Sequence, residues 1–209
     1  MYIFTLNSYM TLNEITRNRN LEPHVVNDIR GLHDSIPEAS SQEVEEFFKD
    51  KGWKIVGQGA YSIVLDKPNS KFVIKANLKP DPGFSQFALI CHKYNNPHFP
   101  VISEVRQIKV GNIILYIYMI EKLRKPSEND YIVDEVAHYS ENAITFDESV
   151  ENYYDNMESI VSDYFKKRPK LVEAINIISK NKKFFRVDMH PDNFMMRGKT
   201  VVITDPLAP

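Results

Sequence analysis

Between residues 10 and 51 the apolar positions recur at helical intervals, so this stretch is expected to be helical. Ser40, followed three residues later by Glu43, has the spacing of a capping box, in which hydroxyl and carboxylate each satisfy a backbone N–H at a helix start. Val44, Phe47 and Phe48 then fall on one face, and Gly52 ends the helix. From Trp53 the period shortens to two. The segment WKIVGQGAYSIVLDKPNSKFVIKA holds two β-rich runs about the turn cluster KPNS, which predicts an antiparallel hairpin. A short helix is expected over 84–94, broken by NNPHFP. VISEVRQIKV and NIILYIYMI predict two more strands, meeting at Gly111 and Asn112.

Beyond the polar connector EKLRKPSEND the helical spacing returns. FDESVENYYDNMESIVSDYF and PKLVEAINIISKN both place apolar residues three and four apart, with Arg168-Pro169 between them, so two helices lead into the closing stretch. No internal repeat or low-complexity segment interrupts the order. Helices, a small and mostly antiparallel sheet carrying one helix, then helices again: the expected class is α+β.

Composition narrows this further. A chain of 209 residues, 43% of them hydrophobic, can bury a core without metal or disulfide staples, as one large domain or two lobes. The single cysteine, Cys91, cannot form an internal disulfide, which fits a reducing, cytoplasmic setting. MYIFTLNSYM has neither the positive region nor the sustained apolar stretch of a signal peptide, and the longest apolar run, 113–120, is too short to cross a bilayer. No membrane partner is expected. A net charge of -2 provides no global field for nucleic acid, so that partner is not expected either. Basic residues gather late, at Lys166, Lys167, Arg168, Lys170, Lys180, Lys182, Lys183 and Arg186, where they read as a solvated helical face or a docking patch for an acidic partner.

The candidate chemistry begins at VGQGAYSIVL. Gly57 and Gly59 lie between strand-like runs, where a missing Cβ lets backbone N–H groups approach a phosphate; a plain twisted turn has the same composition. A dinucleotide fingerprint would need a helix next, and here a strand follows. Lys75, in FVIKA, sits on the next strand, where its ammonium could hold nucleotide phosphates or simply point to water. The closing stretch RVDMHPDNFMMRGKTVVITDP then supplies Asp188, Asn193 five residues later, and Asp205 at the end of the apolar run VVIT. The ordinary alternative for these is a loop with polar caps before a hairpin.

Taken in order, glycine hairpin, strand lysine, Asp-x4-Asn and a further Asp, the stretch from Gly57 to Asp205 resembles the protein-kinase-like superfamily. RVDMHPDNFM with ITDP is most similar to the early serine/threonine protein kinases of short-tailed bacteriophages, and the likeness covers roughly residues 53 to 207. The resemblance implies a two-lobed kinase-like fold: an N-terminal helical extension over 1–52, a small antiparallel N-lobe over 53–123 and a truncated helical C-lobe over 124–209. It implies ATP and Mg²⁺ as cofactors, with Gly57, Gly59, Ser62, Val64 and Lys75 about the nucleotide and Glu121 to Leu123 as the hinge beside the adenine. Asp188 would accept or orient the proton of an attacking hydroxyl, while Asn193 and Asp205 would ligate the metal. The implied substrates are host proteins, met in the host-cell cytoplasm.

Several positions depart from that pattern. Ser62 stands where a third glycine is usual. The helix after Lys75 offers no glutamate: between 76 and 100 the only acid is Asp81, which leaves Asp81, Gln86, Glu45 and Glu46 as open candidates to aim the lysine. His190 occupies a position where serine/threonine kinases generally carry lysine, and DMHPDN is similar also to small-molecule phosphotransferases of the aminoglycoside and choline type. His190 either braces the loop or contacts the transferring phosphate. The sequence stops at Pro209, so the activation segment of ordinary protein kinases is expected to be absent. Two alternatives therefore accompany the protein-kinase reading: a small-molecule kinase, and a non-catalytic kinase-like protein that binds a host target.

Overall fold

The β-rich runs and the helix-period segments fold as an α+β structure. In the computed structural model of the chain, the residues described are 23–35, 41–110, 113–130, 132–145 and 159–209. These residues form two compact units, one drawn from those up to 80 and those within 102–122, the other from 81–101 and those from 123 onward.

The first unit is built on a five-stranded antiparallel sheet in the order β1-β2-β3-β5-β4. Its strands are β1 (Lys54–Gln58), β2 (Ser62–Asp66), β3 (Phe72–Asn77), β4 (Ile102–Val110) and β5 (Ile113–Glu121). The two runs about KPNS thus yield three strands, because the first doubles back at QGAYS, where the Gly59 N–H donates to the Ser62 carbonyl at 2.8 Å. Two helices, α1 (Pro23–Ser35) and α2 (Ser41–Asp50), cover one face of this sheet. Val25, Ile29 and Leu32 of α1 and Val44 and Phe48 of α2 share a core with Ile63, Leu65, Ile74, Ala76, Leu115, Ile117 and Met119. Strand alternation accounts for that list, since residues two apart face the same way and directly paired residues share a face. Trp53 joins helix to sheet: its ring is buried and its Nε1 donates to Asp28 of α1 at 3.0 Å, while Lys67 after β2 reaches the same carboxylate at 2.7 Å.

The second unit holds four helices among the described residues: α3 (Pro82–Lys93), α4 (Ile132–Thr145), α5 (Ser159–Lys166) and α6 (Pro169–Asn181). Asp81 caps α3 by accepting from the Phe84 N–H at 2.9 Å, with Pro82 in the first turn. The helix α4 is additional to the two expected here. Its buried residues Val133, Val136, Ala137, Ser140, Ala143 and Ile144 keep helical spacing, diluted by the polar residues between them. Four short strands close the chain, β6 (Arg186–Val187), β7 (Phe194–Arg197), β8 (Thr200–Ile203) and β9 (Leu207–Ala208), with β6 paired to β9 and β7 to β8. The β7–β8 turn places Gly198 at φ 59°, a conformation that tight hairpin turns require and glycine adopts without strain. Ser40 of the capping box, the Gly111-Asn112 turn, residues 10–22 of the N-terminal helical stretch and residues 146–158 of FDESVENYYDNMESIVSDYF lie outside the described residues. Among the described residues no helix is long and apolar enough to cross a membrane.

Helix α3 lies against β9 so closely that a Cβ on Gly83 would run into the Leu207 carbonyl. The neighbour is backbone, with little freedom to yield. Gly83→Ala is expected to destabilise the protein by about 1–3 kcal/mol, the usual range for overpacking. A urea melt would measure the loss, and amide exchange at Asp188, whose N–H depends on the Pro206 carbonyl, should accelerate; unchanged values in both would refute the close approach.

Candidate functional site

The closing stretch positions its polar residues through the backbone. β6 and β9 pair Val187 with Leu207, and the Asp188 N–H then donates to the Pro206 carbonyl at 2.9 Å, which fixes Asp188 beside the segment carrying Asp205. Between them the chain makes a 3₁₀ turn, Pro191–Asn193, and the β7–β8 hairpin. The Asn193 carbonyl accepts from both the N–H and the Oγ1 of Thr204, each at 2.8 Å. The Asn193 Nδ2 donates back to the Asp188 carbonyl at 2.8 Å. That bond assigns the amide orientation and leaves Oδ1 as the end able to serve a cation. These bonds tie Asp188 and Asn193 to each other and to Pro206 and Thr204, the residues on either side of Asp205; Asp188 is exposed, and Asn193 and Asp205 are half-buried.

His190 begins the 3₁₀ turn. Its Nδ1 accepts from the Asp192 N–H at 3.3 Å, so in this tautomer the ring proton is on Nε2. The imidazole is exposed and braces the loop locally.

The hairpin carrying Asn193 is itself tied down by residues that sequence reading passed over. Arg197 donates to the carbonyls of Pro97 at 2.6 Å and Phe99 at 3.0 Å, and the Ile203 N–H donates to the His98 carbonyl at 2.9 Å. His98, buried, bonds the Val201 carbonyl through Nδ1 at 2.7 Å, where only the protonated nitrogen can donate. NNPHFP is therefore a docking strip for the hairpin as well as a helix stop. On the hairpin's other side Arg124 pairs its backbone with Met196 and donates through its guanidinium to Asp130 at 2.7 and 3.1 Å and to the Gly198 carbonyl at 3.0 Å. The Arg124 guanidinium, helped by Ser127, holds the Asp130 carboxyl far below its ordinary range.

In the first unit the residues of interest lie on the sheet face opposite the helices. Val64, Lys75 and Tyr118 are direct cross-strand partners, and Gly57 pairs with Val64, so the four share that face; Ser62 and Tyr116 flank Asn77 in the next row. Lys75 is only 6% exposed. Asn77, two residues further on the same face, is wholly buried, and neither its Oδ1 nor its Nδ2 has a hydrogen-bond partner in the protein. A buried polar group left unpaired costs about 1–3 kcal/mol. Sequence reading missed Asn77; its signal is an amide that closes a strand, directly after FVIKA, where asparagine is disfavoured. Gly57 and Gly59 have no positive φ, and an added Cβ would make only ordinary contacts, the nearest Val64 Cβ at 3.5 Å from Gly57. The local fold does not demand glycine at either position. Glu121 pairs with Phe72 at the far end of β3, and the boundary between the units falls between Lys122 and Leu123.

Most of the candidates considered for aiming Lys75 have other employment. Asp81 caps α3, and Gln86 donates to the Asn181 carbonyl and accepts from Lys183. Glu45 pairs with Lys49 and Glu46 accepts from Gln42; both lie on α2, which packs on the face away from Lys75. The late basic residues are likewise engaged in part: Lys182 donates to the Ile144 carbonyl, Lys170 pairs with Glu173, Lys167 with Asp163, and Arg168 stacks on Tyr164.

Two carboxylates and an amide oxygen form a hard-oxygen set, chemically suited to Mg²⁺. Among the described residues no cluster of three or more His, Cys, Asp or Glu is arranged to hold a metal, so the amide of Asn193 would have to be one of the ligands. No protein-family model matches the chain, and no curated protein matches its sequence.

Burial holds the pKa of His98 below its ordinary 6.5, with the charges of Arg168 and Arg197 pressing the same way and the Val201 carbonyl opposing. Between the depressed folded value and 6.5 the unfolded chain binds the extra proton, so this histidine's contribution to stability is complete above pH 6.5 and is lost as pH falls. The urea midpoint is expected to drop on acidification below that pH, and His98→Gln should flatten this slope relative to wild type. An identical slope in the variant would remove His98 as its source.

Proposed function

We propose that the protein is an ATP- and Mg²⁺-dependent phosphotransferase, acting as a serine/threonine protein kinase on host proteins, and that its two units are the lobes of a kinase-like fold. The observation carrying this reading is the set of bonds that tie Asp188 and Asn193 to each other and to the two residues flanking Asp205, because the resemblance drawn from sequence assigns Asp188, Asn193 and Asp205 the acceptor and the metal. Burial of Lys75 on the sheet face shared with Gly57 and Val64 supports it from the other unit. Phosphoryl transfer asks little covalent work of a protein, so placed carboxylates, a cation and a lysine suffice.

In this reading Asp188 takes or orients the proton of the attacking hydroxyl. Asn193 and Asp205 would hold Mg²⁺ through oxygen, which would supply charge neutralisation at the phosphates. Lys75 steadies the same phosphates, with Gly57 and Gly59 leaving room for their approach and Val64 against the base. The hinge is Glu121 to Leu123. A second reading, a scaffold that binds a host target without turnover, draws on the helix that follows Lys75 in the chain, α3 (Pro82–Lys93), which holds no glutamate.

Incubation with radiolabelled ATP and Mg²⁺, alone and with a bacterial lysate, separates the readings. Labelled proteins are expected; label confined to small acceptors would indicate a small-molecule kinase, and neither binding nor turnover of ATP would leave the scaffold. Asp188→Ala should lower the rate by about 10²–10⁴-fold with little change in ATP affinity. Asp205→Ala should chiefly weaken binding of the metal-nucleotide complex. Wild-type turnover in Asp188→Ala would discard the assignment of the base.

A further inference from the structure

On β3 the side chains that face away from the helical core include Lys75 and Asn77, neighbours two residues apart and so about 7 Å along the strand. Asn77 is wholly buried with both ends of its amide unpaired, in a row with Ser62 and Tyr116. It also lies under the tip of the glycine hairpin, because the next two N–H groups, of Leu78 and Lys79, both donate to the Tyr61 carbonyl, at 2.8 and 3.3 Å. Leucine or valine would fill such a position without leaving polar atoms unsatisfied. Beside a lysine, an N–H donor is complementary to an anion able to accept from both.

Resting on the nucleotide reading above, we propose that Asn77 is a phosphate-binding residue: its Nδ2 donates to an oxygen of the bound triphosphate next to the Lys75 ammonium. The amide supplies a neutral donor where a second cation would repel the lysine. Contact with phosphate rather than base makes a specific demand. Affinity for the triphosphate must depend on Asn77, while affinity for the nucleoside alone must not.

Calorimetric binding of Mg-ATP and of adenosine to wild type, Asn77→Leu and Asn77→Asp tests this, with circular dichroism and thermal melts establishing that each variant is folded. Asn77→Leu removes the donor and the unpaired atoms together, so its melting temperature without ligand should equal or exceed that of wild type. Its Mg-ATP affinity should fall about tenfold or more with adenosine binding unchanged. Asn77→Asp, nearly isosteric, replaces the donor by an anion and should weaken Mg-ATP further still; it carries the test if the leucine variant does not fold. Wild-type Mg-ATP affinity in either folded variant would overturn the assignment and make Asn77 a core amide satisfied by buried water, and equal loss of Mg-ATP and adenosine would overturn it as general damage. Wild-type protein that binds neither ligand would sink the nucleotide reading itself, and this inference with it.

Discussion

A single backbone hydrogen bond governs where the closing acids of the second unit lie: the N–H of Asp188 held by the carbonyl of Pro206. Residues 188 and 205 are separated by a turn and a full hairpin, and nothing in their side chains draws two carboxylates together. The backbone does it, through the β6–β9 pairing, and the side chains follow. Like charges can be assembled this way because the strand pairing and the surrounding core supply the favourable energy and the acids only accept their placement. Asn193 then ties across the gap, its carbonyl to Thr204 and its amide to the Asp188 carbonyl.

The hairpin between those acids is fastened from both sides. Arg197 and His98 anchor it to the strip at 96–100, and Arg124 stitches it to the connector after β5. Each of these contacts uses a backbone carbonyl, so the position of the hairpin is set by main chain rather than by interchangeable side chains. The first unit divides its labour differently. Its sheet gives one face wholly to α1 and α2, and the opposite face carries the polar residues Lys75 and Asn77 at a cost the helical core offsets.

What the sequence made legible was what is encoded locally. Strand alternation in FVIKA and NIILYIYMI, the glycine turn, the stop at NNPHFP and the five-residue interval from Asp188 to Asn193 are all short-range patterns, and the strands, helix and loop they forecast are present. The helix Ile132–Thr145 was obscured because its apolar positions include alanines and a serine, whose burial depends on what packs over them. Gly83 looked like an ordinary residue beside a proline until β9, well over a hundred residues away, was seen against it. Asn77, His98 and Arg197 were invisible for the same reason: burial and long-range carbonyl partners are tertiary facts. The sequence left Asp81, Gln86, Glu45 and Glu46 open to aim Lys75, because which side of the sheet a helix covers is a tertiary fact, and that fact removes Glu45 and Glu46 from contention.

The two-residue beat of β3 also fixes its length. Ile74 and Ala76 sit in oil while Lys75 and Asn77 face the other way, so deleting or inserting one residue upstream within the strand would exchange the two sets at a stroke. An ammonium and an amide would enter the helical core and two aliphatic groups would take over the polar side. Drift in this strand is therefore confined to substitution, and changes in chain length are left to the turns on either side of it.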